Sequence, residues 1–110
     1  MTRLRMAACA ALVATLGFGA IGAALAAAPG AAVTIDNFAF GPTPITVAAG
    51  ATVTWTNNDD IPHTVRAVDG SFHSKAMDSA DSYSFTFTKP GVYSYFCSLH
   101  PKMVGKVVVK

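Results

Sequence analysis

Charge is scarce in this chain. Only 13% of its 110 residues are charged, while 52% are hydrophobic. The basic residues nowhere gather into a patch, so nothing supports nucleic-acid binding. Cysteine is nearly absent: there are two, Cys9 and Cys97. No internal repeat is present, and no stretch beyond the N-terminal segment carries a helical period, which argues against a helical bundle. The length allows one domain and not two.

The apolar content is concentrated at the start. Thr2-Arg3-Leu4-Arg5 forms a short positive segment, and Met6 to Leu25 follows without a charge. Ala24-Leu25-Ala26 supplies the small-x-small pattern of a signal-peptidase site, so residues 1–26 are expected to be a cleaved signal peptide. Left uncleaved, the segment would tether the chain to a membrane; either way the rest is exported. Cleavage removes Arg3 and Arg5 and brings the formal net charge from +2 to zero. It also removes Cys9. Cys97 then has no partner within the chain, and in an oxidising compartment it is free, intermolecular or metal-bound.

Residues 27–110 read as short strands of period two separated by turn residues. The runs include Val33–Asp36, Ile45–Val47, Thr52–Thr56, His63–Val68, Tyr83–Thr88, Val92–Cys97 and Gly105–Lys110. Phe38 and Phe40 extend the first run. Residues 69–82 are polar and make the longest expected loop. About seven strands at this spacing indicate an all-β fold, a two-sheet antiparallel sandwich or barrel.

The chemistry lies in Cys97-Ser98-Leu99-His100-Pro101-Lys102-Met103. A thiolate, an imidazole and a thioether come from one short segment at a strand–loop–strand junction. Strand parity puts Cys97 on the face of Tyr93 and Tyr95. Zinc rarely takes a thioether, and calcium or magnesium prefers oxygens. Two His and one Cys with a weak axial Met is the arrangement of electron-transfer copper. The second imidazole is best supplied by His63, which follows the turn-like Asn57–Pro62 segment. His73, in the polar loop, is expected to be exposed and without a role.

These residues resemble the cupredoxins, the small blue copper proteins, and most of all the amicyanins. Val53-Thr54-Trp55-Thr56-Asn57, Pro62-His63, Lys89-Pro90-Gly91-Val92-Tyr93-Ser94-Tyr95, the Cys97 loop and Gly105-Lys106-Val107-Val108-Val109 occur in the family's order. The two residues between His100 and Met103 are the amicyanin-like feature. The resemblance implies a Greek-key sandwich over residues 27–110, one type 1 copper ion and single-electron shuttling in the periplasm. It implies His63, Cys97 and His100 as strong ligands and Met103 as the axial one.

Thr64 stands where cupredoxins often carry an Asn that bonds across to the Cys loop, so a weaker tie is expected. Leu99 and Lys102 stand where amicyanins have Pro and Phe, so no amine dehydrogenase is implied as partner. The expected partners are redox proteins such as a dehydrogenase or a c-type cytochrome. They would dock near His100 over Ile61, Pro62, Leu99 and Pro101, with the protein itself a monomer. A copper chaperone or store could use the same ligands. An enzyme is disfavoured: three His are too few for a multicopper oxidase, and Cys97 with His100 lacks the oxyanion-binding region of a hydrolase.

Overall fold

Period-two alternation decides which side chains of each run face inward, and the strands form accordingly. The computed structural model describes residues 28–110, so the expected signal peptide at 1–26 lies outside the described residues. In chain order the strands are β1 (Ala31–Asp36), β2 (Ala39–Gly41), β3 (Ile45–Val47), β4 (Ala51–Asn57), β5 (Arg66–Ala67), β6 (Ser82–Phe87), β7 (Gly91–Cys97) and β8 (His100–Val109). They make two four-stranded sheets, ordered β2-β1-β4-β6 and β3-β8-β7-β5.

The all-β, two-sheet expectation holds, but the sheets are mixed and not purely antiparallel. β1 pairs with β4 in parallel, and β3 pairs with β8 in parallel. The cause is topological. After β2 the chain adds β3 to the second sheet and then returns to the first as β4, beside β1. Alternation reports which face is buried and carries no information about a neighbour's direction.

β4 shows how the core is built. Val53, Trp55 and Asn57 point inward and are fully buried. On the outer face Thr52, Thr54 and Thr56 pair with Thr86, Ser84 and Ser82 of β6 through hydroxyl contacts of 2.7, 2.7 and 3.0 Å. These pairs satisfy the polar face while the apolar one packs. Trp55 meets Phe72 (5.9 Å between centroids) and Tyr95 (5.4 Å, nearly perpendicular), so one indole ties both sheets and the long connection together.

That connection differs from expectation. Residues 69–82 were expected to form a polar loop, yet Phe72, Ser74 and Met77 are buried. Phe72 stacks on Phe85 at 4.9 Å, and the Met77 backbone bridges to His63. The run from His63 likewise yields only a two-residue strand, because His63, Thr64 and Val65 are buried in succession.

β8 begins at His100, five residues before the expected Gly105. Cys97 pairs with His100 and Phe96 with Val104, so residues 101–103 have no partner on β7. They form a bulge in which Pro101 owes no ladder hydrogen bond, and past which Met103 turns inward.

Candidate metal centre

The end of β4 organises one wall of the site. Buried Asn57 donates its amide to the carbonyls of Ile61 and Met77, both at 2.9 Å. Its Oδ1 accepts the N–H of Asp59 at 2.9 Å. The segment 58–62 therefore wraps around one side chain and delivers His63 to the end of the core. There the His63 N–H and C=O both bond Met77 backbone, at 3.1 and 2.8 Å. The other wall is the tight β7–β8 hairpin, in which Ser98-Leu99 separates Cys97 from His100.

The two walls converge. Cys97 Sγ lies 3.7 Å from His63 Nδ1 and 3.6 Å from His100 Nδ1. The ligand atoms of these three residues all fall within 4.8 Å of one another. Cys97 and His63 are fully buried, His100 is half-buried, and Met103 is buried on β8. The parity argument for Cys97 also holds, since Tyr95 on its face is buried and Tyr93 packs against the core.

Thr64 keeps the tie to the Cys loop by its own means. Its N–H donates to Cys97 Sγ at 3.3 Å, and its Oγ1 lies 3.8 Å from the same sulfur. That oxygen accepts the Ser98 N–H at 2.7 Å and contacts the Ser98 hydroxyl at 2.7 Å. A short hydroxyl reaches the loop because the hairpin comes close.

The thiol is poised to ionise. Burial pushes Cys97 up, but the Thr64 N–H, the His63 and His100 rings and the Leu99 N–H outweigh it and bring the thiol down to about 6. Thiolate is the metal-binding form. Two imidazole nitrogens around a thiolate, with a buried thioether on the next strand, suit copper better than zinc or calcium.

Two residues of the site escape a reading of the sequence. Asp59 accepts the His63 Nε2–H at 2.8 Å. The Phe38 N–H first of all, then those of Asn37 and the His63 ring, hold its carboxyl below the usual range against the opposing effect of burial. The Phe38 ring lies edge-on to both imidazoles, with centroids 5.5 Å from His63 and 5.1 Å from His100.

His73 sits elsewhere. It is exposed, and its backbone bridges to Arg66. His73→Ala should leave any copper-dependent absorption within about 10% of wild type, as a distant surface change does. A bleached spectrum from that variant would mean that the ligand set is wrong.

Residues 28–110 match the family described as copper binding proteins, plastocyanin/azurin family. The chain belongs to that family. It is 39% identical over 103 residues to amicyanin-alpha of Methylorubrum extorquens, covering 88% of this chain and 87% of the relative. Amicyanin of Paracoccus denitrificans is 45% identical over 69 residues, which covers 58% of this chain and 53% of the relative. Among solved structures, a purple cupredoxin from Nitrosopumilus maritimus superposes with a TM-score of 0.69 at 34% identity, covering 73% of this chain and 99% of the other. The expected likeness to the cupredoxins, and among them to the amicyanins, is thus established, and copper is the metal this plastocyanin/azurin relative takes.

Proposed function

We propose that this protein is an exported carrier of single electrons, with one copper ion held by His63, Cys97 and His100 and, more weakly, by Met103. The observation that carries the reading is the buried sulfur flanked by two imidazole Nδ1 atoms at 3.7 and 3.6 Å. Bound copper supplies a one-electron couple. The chain supplies a frame that changes little between oxidation states, because strands, the Asn57 knot and the Thr64 tie fix each donor beforehand. His63 is sealed inside, whereas His100 is half-buried and offers an edge toward solvent. Electrons pass through that edge.

A carrier accounts for the site better than an enzyme. A groove of about 570 Å³ among the described residues is lined by residues such as Val68, Phe96 and Val104 and by none of the three clustered donors. The partner is a redox protein, a dehydrogenase or a c-type cytochrome, docking over His100. Leu99 is 51% exposed beside it, and Pro62 and Pro101 are also exposed. Export follows from the expected leader at residues 1–26, and the periplasm is the proposed location.

Adding copper(II) to residues 27–110 tests the reading. One equivalent should produce intense visible absorption with a mononuclear EPR signal, and the colour should cycle with one electron. Metal lost to a mild chelator within seconds would instead indicate a chaperone or store. Docking has its own test. Leu99→Glu should slow electron transfer to an acceptor roughly tenfold, about 1.4 kcal/mol, with the copper spectrum unchanged. Lys102→Glu should mainly change the salt dependence, since exposed charges steer only over about 8 Å at physiological ionic strength. Unchanged rates in both variants would place the exit elsewhere.

A further inference from the structure

Phe38 stands where the backbone least favours it. With Asn37 it forms the two-residue turn between β1 and β2, at φ values of 60° and 52°. Such a turn favours Asn followed by Gly, and a bulky residue in the second place is an outlier. Outliers of this kind persist where the surroundings over-determine them. Here one carboxylate does so. Asp59 accepts the Asn37 N–H at 2.6 Å and the Phe38 N–H at 3.0 Å, and the same group accepts the His63 Nε2–H at 2.8 Å. The carboxylate is not occupied by its own turn, which closes instead through the Asp59 N–H on Asn57.

We infer that Asp59 is a positioning residue for the copper site, fixing His63 with its proton on Nε2 and, through the Asn37–Phe38 turn, seating the Phe38 ring over both imidazoles. The inference rests on the copper reading above, but it concerns residues outside the ligand set. A carboxylate can only accept here, so Nε2 carries a proton, and Nδ1, 3.7 Å from Cys97 Sγ, is the nitrogen left to bind copper. A carboxylate partner also strengthens the imidazole as a donor to metal, which favours the more highly charged copper. The Phe38 ring is 52% exposed and stands perpendicular to both imidazoles, so it covers part of their surface on the solvent side. One acidic residue thereby sets both the donor and its cover.

Three measurements on wild type, Asp59→Ala and Phe38→Gly test this: ring ¹⁵N NMR of the metal-free protein, copper(II) affinity by competition, and reduction potential. Wild-type His63 should show Nε2 protonated and bonded to the carboxylate. Asp59→Ala should mix tautomers, weaken copper(II) binding about 10–100-fold, and favour reduction about tenfold, which is 59 mV for one electron. Phe38→Gly keeps both backbone donors and suits the turn, so it should keep Nε2 protonated, while loss of the ring admits water to the imidazoles and lowers the reduction potential. A folded Asp59→Ala with wild-type tautomer, affinity and potential overturns the inference. So does a Phe38→Gly variant that loosens His63 as much as Asp59→Ala, because ring packing would then hold the imidazole. Wild type that develops no thiolate–copper absorption overturns the copper reading instead, while the metal-free NMR still decides the role of Asp59.

Discussion

Cys97→Ser should abolish the intense copper-dependent absorption and weaken copper(II) binding by more than about 100-fold, beyond the range found for outer-shell partners. Cys97 is the single cysteine among the described residues. Its thiol is brought down to about 6, so near neutral pH it is the anionic soft donor of the site. A serine hydroxyl does not ionise in this range and has no low-energy charge transfer to copper. The fold should survive. Ser is smaller than Cys, and the Thr64 N–H that now donates to Sγ can donate to the new oxygen. A buried hydroxyl with a partner costs little, so the loss is about 1–2 kcal/mol. Visible titration with copper(II), with thermal melts of the metal-free protein, reads both effects. An intense band in Cys97→Ser would remove the sulfur from the site and the copper reading with it.

The proposed donors were legible because three of them lie within seven residues of chain, and local spacing survives folding. His63 was legible from its place after the turn-like Asn57–Pro62 segment, with His73 set aside in the polar stretch. Asp59 and Phe38 were not, for a physical reason. Their part depends on a hairpin between β1 and β2 whose turn is Asn-Phe, not the Asn-Gly that marks such turns. The period-two pattern instead carries Phe38 and Phe40 on as one extended run. Met77 and Phe72 were hidden similarly: single apolar residues among Ser, Asp and Lys reveal nothing of the buried Trp55 and His63 they meet. The two parallel pairings were invisible because strand direction follows from the path of the whole chain. Alternation therefore located the core and the soft donors, while the groups that orient those donors emerged only from non-local contacts. The burial of Met103 belongs to both classes. Its thioether was evident in the motif, but the bulge at residues 101–103 that turns it inward was not.

Gly105→Ala should lower the stability of the metal-free domain by about 3 kcal/mol, at the upper end of overpacking costs. For a domain of this size that is a fall in Tm on the order of 15 °C. Gly105 pairs across the ladder with Tyr95, whose ring lies directly over it. A Cβ at this position would stand 2.3 Å from Tyr95 Cζ and 2.4 Å from its hydroxyl oxygen. The ring has no room to retreat. It is 1% exposed and packs edge-on against Phe40 at 4.8 Å and Trp55 at 5.4 Å. Relief must come from the backbone, by parting β7 from β8, the strands that carry Cys97 on one side and His100 and Met103 on the other. The same substitution should therefore also alter the copper spectrum, although no donor is changed. Tyr95→Phe separates ring from hydroxyl. Among the described residues the hydroxyl makes no hydrogen bond of good geometry, so Tyr95→Phe alone should be close to neutral. It should fail to rescue Gly105→Ala, since Cζ remains in the way. Tyr95→Leu in the Gly105→Ala background should recover part of the loss, giving a favourable coupling of about 1 kcal/mol or more in a double-mutant cycle. Metal-free melts of the six proteins, wild type with the three single and two double variants, and copper(II) spectra of each measure these effects. A Gly105→Ala domain melting within about 2 °C of wild type, well inside the shift expected for 1 kcal/mol, would show that the ring yields and that β7 and β8 are not held at their spacing by this contact.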